Sequence, residues 1–325
     1  MLVASSRNIF LEVLVSPSES KIDCAMEQAM NRVTNPMTKS VRVFAAALLM
    51  AGIAIAASAT PARADQWSKT YQVNGHADLR VMTGDGDVTI TGSDPHQIDA
   101  HVTTNGWKIG PNDVQIIESQ SGNSVSIEVK VPHWGFSMFG GNHKSLRVEV
   151  GVPRELDLNV RTSEGNVTAL GVSGKIQFDT GDGNVTASNI KGDIRIHTGD
   201  GHIEGHNFDG SLDADTGDGN LRIDGRFDAL ALKTGDGSIE AQVGSGSKLA
   251  NGWNLHSGDG HITLRVPSDL NAMLDAHTGD GSITLDIPIQ VSGSLSHSSV
   301  RGKLNAGGPT LAISSGDGSI HIEKL

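Results

Sequence analysis

The chain has 325 residues and a formal net charge of −12, and its one cysteine is Cys24. A chain this acidic repels nucleic-acid phosphates, so nucleic acid is excluded as a partner. A single cysteine also excludes an internal disulfide and a zinc–thiolate site.

The first predicted element is a secretory signal peptide at residues 37–64. Lys39 and Arg42 supply a positive start, residues 43–59 form a small-apolar run, and Ala62–Ala64 has the A-x-A pattern of a cleavage site. The run is short and alanine-rich for a membrane-spanning helix, which needs about 20 strongly apolar residues. We therefore predict cleavage after Ala64, with an uncleaved membrane anchor as the alternative.

Cleavage at this site defines the mature protein. Residues 1–36 have no recognisable role upstream of a signal, so they are expected to be untranslated or without structure, with Met37 as the start. The mature chain would begin at Asp65 and would contain no cysteine and no transmembrane segment. We expect it to be exported to the periplasm, the cell surface or the extracellular space.

An acidic, glycine-rich phrase recurs along the mature chain. The tetrapeptide TGDG begins at intervals of eighteen residues at Thr180, Thr198, Thr216 and Thr234, and near-copies begin at Thr83, Thr162, Ser257, Thr278 and Ser315. Self-similarity at a fixed period is typical of repeat architectures. After Thr234 the intervals lengthen to 23, 21 and 37 residues, and the additional residues are interpreted as loops or as a rung that lacks the phrase.

Each repeat unit predicts two short strands. In the unit that spans residues 180–197, Val185, Ala187, Ile194 and Ile196 alternate with polar residues, and a period of two indicates strands. One rung of two strands cannot bury its apolar face alone, whereas stacked rungs can. The predicted fold class is therefore all-β, a β-solenoid of two-stranded rungs of about eighteen residues.

The predicted solenoid occupies residues 161–325. Residues 65–160 contain longer strands, closed by prolines and by turn sequences. We interpret them as an N-terminal β region that includes the first rung and caps the stack, because terminal caps are required in such folds.

The glycines of the phrase predict a tight turn. A turn between strands needs a positive φ, which glycine adopts without steric cost. Thr198 continues the alternation of Ile194 and Ile196, so its hydroxyl is expected to point inward and bond a turn amide. The predicted structural turn repeat contains Gly84, Gly86, Gly181, Gly183, Gly199, Gly201, Gly217, Gly219, Gly235, Gly237, Gly258, Gly260, Gly279, Gly281, Gly316 and Gly318.

The aspartates of the phrase suggest a cation site as an alternative to a plain turn. Stacked rungs would place Asp182, Asp200, Asp218 and Asp236 in one column, where carboxylates about 5 Å apart repel by roughly 0.8 kcal/mol per pair in water. Calcium-binding β-rolls use a glycine–aspartate nonapeptide, and both its period and the position of its aspartate differ from those here. We expect a structural turn without metal or cofactor, and these four aspartates are weak calcium candidates.

Two further columns of side chains are expected on the stacked rungs. The residue before each phrase should form a charged column that sets the register, with a metal site as the alternative; its members are Asp179, His197, Asp215, Lys233, His256 and His277. The residue after each phrase should form a polar ladder; its members are Asn166, Asn184, His202, Asn220, Ser238, His261, Ser282 and Ser319.

One segment is not explained by the repeat. The sequence HWGFSMFGGNHK places Trp134, Phe136, Met138 and Phe139 within six residues between two predicted strands. An apolar loop indicates burial or binding. This aromatic segment is predicted to be either a plug over the open end of the stack or the main binding element.

The chain resembles the bacterial putative-adhesin family of exported β-strand-repeat proteins, a family of unknown function. The resemblance covers about residues 75–325 and rests on LRVMTGDGDVTITG, on LRVEVGVPRELDLNVRTSEGNVTAL and on the run of TGDGxI rungs. It implies the architecture and an adhesive role, and it carries over no catalytic residues. The sequence itself contains no G-x-S-x-G nucleophile elbow.

These features together predict a non-enzymatic, exported module of the cell envelope that serves binding, adhesion or a scaffold. The alternatives are a periplasmic envelope-stress sensor or accessory protein and, less favoured, a polysaccharide-active β-helix enzyme. The expected partner is an envelope or surface ligand, and self-association through the ends of the solenoid is a further option.

Overall fold

A computed structural model describes residues 64–93, 96–131, 144–291 and 296–325. The predicted signal peptide except its last residue, Ala64, and the four aromatic-segment residues, from Trp134 to Phe139, lie outside this described part. Within it, the secondary structure is entirely β and no helix has the length and hydropathy of a membrane span.

The described chain forms 23 strands that join in one large mixed sheet. In chain order the strands are β1 (Asp65–Gln72), β2 (Ala77–Thr83), β3 (Asp87–Gly92), β4 (Gln97–Asn105), β5 (Gln115–Ser121), β6 (Ser124–Lys130), β7 (Ser145–Val152), β8 (Leu156–Thr162), β9 (Val167–Leu170), β10 (Ser173–Thr180), β11 (Val185–Ser188), β12 (Lys191–Thr198), β13 (Ile203–Thr216), β14 (Leu221–Thr234), β15 (Ile239–Val243), β16 (Trp253–Ser257), β17 (Ile262–Val266), β18 (Ala272–Thr278), β19 (Ile283–Leu285), β20 (Gln290–Val291), β21 (Ser299–Leu304), β22 (Thr310–Ser315) and β23 (Ile320–Lys324).

The eighteen-residue period of the sequence is confirmed as the register between parallel strands. Strand β10 pairs with β12 so that Ile176 faces Ile194, and β12 pairs with β13 so that Ile194 faces Leu212. We call the strands that end at the first residue of a phrase the leading strands, and those that follow the phrase the trailing strands. Strands β13 and β14 are long because each joins a trailing strand to the next leading strand without a break.

Alternate residues of the rungs fill a continuous apolar core. Phe178, Phe208 and Phe227 are at most 1 % exposed, as the alternation of apolar residues predicts. Trp253, the first residue of β16, is also buried in this core. Burying one such side chain contributes roughly 1.5–3 kcal/mol, so the stacked core is the main source of stability.

The last rung along the chain is not the last rung of the stack. Ser315, at the end of β22, pairs with Ser257 of β16 on one side and with Thr278 of β18 on the other. The rung of β22 and β23 is therefore inserted between two rungs that precede it in sequence. The order of the phrases along the chain predicts a simple succession, and that succession is wrong at this end.

The interval between Thr278 and Ser315 explains the insertion. Strand β21 returns antiparallel along β18, and the short β20 pairs antiparallel with β21. After β19, which pairs parallel with β23, the described part of this interval is thus an antiparallel cap, where the sequence predicts a loop or a rung lacking the phrase. Because β21 occupies one edge of β18, the next leading strand, β22, pairs along the other edge of β18, next to β16.

The N-terminal strands continue the register of the repeats. Leu79 of β2 faces Leu158 of β8, and Val88 of β3 faces Val167 of β9. Beyond this first rung, β6 pairs with β2 and β7 pairs with β3, and the antiparallel strands β5, β4 and β1 follow on the outside.

A polar contact joins the two outermost strands at the N-terminal end. Lys69 and Tyr71 of β1 both donate a hydrogen bond to the carboxylate of Glu118 on β5. The bond from Lys69 holds the pKa of Glu118 below its usual value, and burial raises the pKa of Tyr71. This contact fastens β1 to β5, where no backbone pairing connects them among the described residues.

Candidate functional site

From Thr162 onward, the threonine or serine that begins each phrase bonds two turns together, whereas Oγ1 of Thr83 is buried without a hydrogen-bond partner among the described residues. Thr198 is fully buried; its Oγ1 accepts a hydrogen bond from the amide of Gly201 at 3.2 Å and donates one to the carbonyl of Gly183 at 2.9 Å. The same pair of bonds recurs at Thr180, Thr216, Thr234, Ser257, Thr278 and Ser315. The inward threonine that bonds a turn amide is therefore confirmed.

The glycines of the phrase are required for a reason other than the predicted one. None of the described glycines of the TGDG phrases has a positive φ, whereas Gly174, Gly192 and Gly210 at the opposite turn of the repeats have φ of 131°, 110° and 141°. A Cβ at Gly183 would instead lie 2.0 Å from the carbonyl oxygen of Gly165 on the neighbouring rung. The prediction of a positive φ in the phrase is wrong. Glycine is required there because the closely stacked backbone of the neighbouring rung leaves no space for a side chain.

The residues after the phrase form the predicted polar ladder. The amide of His202 donates to Oδ1 of Asn184 at 2.8 Å, and the amide of Asn220 donates to Nδ1 of His202 at 2.9 Å. Equivalent bonds connect Asn166 to Asn184, Asn220 to Ser238, and His261 to Ser319. At these five steps a side chain accepts a bond from the backbone of the next rung, which makes this column part of the stacking.

The aspartates of the phrase lie on the surface. Asp182, Asp200, Asp218 and Asp236 are all exposed. They are absent from the one described group of three possible metal ligands whose donor atoms lie within 4.8 Å of one another. The calcium hypothesis for these four residues remains a prediction.

That group of three consists of Asp286, His321 and Glu323. Nε2 of His321 lies 3.0 Å from a carboxylate oxygen of Asp286, and Nε of Arg265 lies 2.6 Å from a carboxylate oxygen of Glu323. The guanidinium of Arg265 also bonds Glu240 at 2.6 Å. Because the guanidinium of Arg265 already neutralises Glu323, we interpret the group as part of a surface ion-pair network.

The charged column before the phrases is present in altered order. Asp179 faces His197, His197 faces Asp215, and Asp215 faces Lys233, as predicted. Beyond His256 the next member is Ser314, whose hydroxyl lies 2.8 Å from Nδ1 of His256. His277 follows Ser314 rather than His256, because the rung of β22 is inserted between them.

A groove crosses the outer face of the leading strands from β10 to β22. Its volume is about 690 Å³. One of its columns consists of Gln177, Arg195, Asp213, Ala231, Asn254 and Ala312, which face one another in register; the other contains Lys175, Asp193, Ser211 and Ala229. Six strands at a spacing of about 4.8 Å make the groove about 24 Å long.

Side-chain size forms this groove. Ser211, Ala229, Ala231 and Ala312 are small and only half-buried, so they leave space above the middle of the sheet. At one end stand Lys175, Asp193, Arg195 and Asp213, with Nε of Arg195 at 3.3 Å from Asp213. At the other end stand the uncharged polar residues Asn251, Asn254 and Thr310. The groove thus has two cations and two anions at one end and amide and hydroxyl groups at the other.

The repeat pattern of the sequence does not by itself predict this groove. Its residues come from six strands, and one of these strands is out of sequence order. The available signal is a group of small residues at neighbouring outward positions of adjacent repeats: Ser211 faces Ala229, and Ala231 lies two residues after Ala229. The predicted binding residues Trp134, Phe136, Met138 and Phe139 lie outside the described residues, so the structure places them neither near the groove nor away from it.

Several solved structures are similar to this chain. Solved structures similar to this chain include one titled a putative lipid binding protein from Parabacteroides distasonis, at 15% identity, a TM-score of 0.44, and coverage of 79% of this chain and 96% of that one. A putative adhesin from Bacteroides fragilis has 11% identity, a TM-score of 0.39, and coverage of 80% and 97%. A putative cell adhesion protein from Clostridium sporogenes has 14% identity, a TM-score of 0.27, and coverage of 81% and 100%. At these values the similarity carries no conclusion about ligand or activity.

No curated protein matches the chain significantly. The family profile described as Toastrack DUF4097 matches residues 76–323, which is most of the chain and includes every TGDG phrase. This match agrees with the resemblance to putative adhesins of unknown function, and no enzyme family is indicated. The chain therefore belongs to the Toastrack DUF4097 family.

Proposed function

We propose that the chain is a non-enzymatic binding module of the cell envelope, that its rungs form a β-solenoid, and that the outer groove is its binding surface. The observation that carries the proposal is the groove itself. Outward residues of a sheet need not be small for stability, yet small residues at neighbouring outward positions of adjacent rungs contribute to a cleft of about 690 Å³. This volume is within the range of about 300–1,000 Å³ that is usual for ligand sites.

The chemistry of the groove favours binding over catalysis. A general base or an activated nucleophile needs a partner that orients it within hydrogen-bond reach. The hydroxyl groups of the lining belong to Ser211 and Thr310, and the lining includes no histidine. Arg195 and Asp213 form an ion pair. We interpret these charged groups as binding groups for a partner and not as catalytic groups.

The place of action is proposed from the sequence. The signal-like residues 37–64 support export, and N-terminal sequencing of exported material should show a start at Asp65. A start upstream of residue 43 would contradict the proposed signal peptide. Fractionation separates a surface-exposed adhesive or scaffold module from the alternative, a periplasmic sensor or accessory protein.

The proposed binding surface is tested by filling the groove. Ala231 is half-buried in the groove, and Ala231→Trp places a large ring there without replacing a core residue. The matched control is Thr186→Trp, which adds the same ring at a half-buried position of trailing strand β11, outside the groove. Capture of envelope components by the purified chain should be lost with the first variant and kept with the second.

If Ala231→Trp captures the same components as the unmodified chain, the groove is not the binding surface. The aromatic segment then becomes the leading proposal, because Trp134, Phe136 and Phe139 supply large apolar side chains in a short stretch. Replacing these three residues with serine should then abolish capture.

A further inference from the structure

We propose that the groove binds an extended peptide segment of about seven residues that lies across the leading strands. This inference rests on the proposed function, in which the groove is the binding surface, and it specifies the class of ligand.

The dimensions of the groove suit an extended chain. Its length of about 24 Å corresponds to about seven residues at roughly 3.3 Å each. The floor is formed by Ser211, Ala229, Ala231 and Ala312, whose side chains extend little from the sheet. A peptide could therefore approach the floor along most of its length and place its own side chains above these small residues.

The hydrogen-bonding groups suit a peptide backbone. The side-chain amides of Asn251 and Asn254 each offer donors and an acceptor, which is the combination needed to bond the N–H and C=O groups of an extended chain. The amide of Gln177 already bonds Asn159 and Asp179. The leading strands themselves cannot supply these bonds, because their backbone groups are already paired with the neighbouring strands.

The charges restrict the peptide further. Lys175 and Arg195 balance Asp193 and Asp213, so one end of the groove is zwitterionic. The chain as a whole carries −12, and a strongly anionic polymer would be repelled by this field. We therefore expect peptides with charged residues of both signs near one end and small or uncharged residues along the rest.

The main competing ligand is a neutral oligosaccharide. Trp253 is the aromatic residue in the lining of the groove, and it is only 2% exposed, so its ring offers no stacking platform for a sugar. Without a stacking platform, the groove offers amide groups and a floor of methyl groups, and these favour a peptide over a sugar.

The experiment pans a random heptapeptide phage library against the purified full chain and screens an array of neutral and acidic oligosaccharides in parallel. We expect enriched heptapeptides that bind the chain directly by fluorescence anisotropy. Ala231→Trp should weaken this binding at least tenfold, and Thr186→Trp should leave it unchanged. Asn254→Ala, which removes an amide without adding bulk, should weaken it several-fold even if Ala231→Trp proves unable to fold.

Three results would overturn the inference in different ways. Enriched peptides whose affinity is unaffected by both groove variants would place peptide binding elsewhere. Oligosaccharides that bind in a groove-dependent manner, without enriched peptides, would overturn the ligand class but leave the proposed function intact. Envelope capture that is unaffected by Ala231→Trp, together with no groove-dependent ligand of either kind, would overturn the inference and the proposed function together.

Discussion

Replacing single glycines of the repeated phrase should measure how closely the rungs are stacked. The first glycine of the phrase occurs as Gly84 at the first rung and as Gly181 two rungs further along the stack. A Cβ at Gly84 would meet nothing within 4 Å, whereas at Gly181 it would lie 2.4 Å from the carbonyl oxygen of Ser163. Gly84→Ala and Gly181→Ala are therefore the same change at the same position of the phrase, but the added methyl group meets open space at Gly84 and a neighbouring backbone at Gly181. Gly183→Ala is more severe, because its Cβ would lie 2.0 Å from the carbonyl oxygen of Gly165.

The expected magnitude follows from the contacts that must be disturbed. Forcing a methyl group against a packed backbone costs about 1–3 kcal/mol. At Gly183 the displacement also disturbs the bond from its amide to Thr180 and the bond from Thr198 to its carbonyl, at roughly 1 kcal/mol each. We expect a loss of about 3–5 kcal/mol for Gly183→Ala and somewhat less for Gly181→Ala. Gly84→Ala should be neutral or should stabilise by up to about 1 kcal/mol, because alanine restricts the unfolded chain.

Thermal and denaturant unfolding measure these differences directly. At about 2–4 °C per kcal/mol for a chain of this size, Gly183→Ala should melt roughly 6–20 °C lower than the unmodified protein. Hydrogen exchange should show lost protection on the rungs next to the substitution, because each rung stabilises its neighbours. Equal melting temperatures for Gly183→Ala and Gly84→Ala would refute the argument from close stacking, as would a Gly84 variant that is equally destabilised.

Three other predictions concern the ladder, the histidines and calcium. His202→Asn should keep the ladder bond to Asn220 and leave the free energy of unfolding unchanged. His202→Leu should lower the free energy of unfolding by about 0.5–1.5 kcal/mol in denaturant unfolding. If both variants lower it by the same amount, the ladder bond contributes nothing to stability. The bond to Asp224 raises the pKa of His206, so NMR titration should place it above the usual value of about 6.5, and Asp224→Asn should lower it. The stability contributed by this half-exposed pair should be present below about pH 6.5 and lost as the pH rises through the folded-state pKa, so a contribution that grows with pH would contradict the assignment. Millimolar calcium should leave the melting temperature close to that measured with chelator, and a rise of many degrees would make the exposed aspartates Asp182, Asp200, Asp218 and Asp236 calcium ligands.

The sequence by itself determined the strands, their register and the direction of the repeated side chains. A period of eighteen residues brings equivalent positions of successive rungs into contact, so reading one unit identifies its neighbours as well. For this reason the inward threonine at Thr198 and the ladder through Asn184 and His202 could be predicted from alternation alone.

Only the tertiary structure decided three features that do not follow from a local period. The rung that ends at Ser315 lies between two earlier rungs, because the antiparallel strand β21 occupies one edge of β18. The glycines of the phrase are needed for the distance between backbones on different rungs, which no single turn reveals. The groove depends on small side chains from strands β13, β14 and β22, and β22 reaches this position through the same change of order. Contacts between rungs that are distant in sequence are decided by which strand edges are free, and that property belongs to the folded chain.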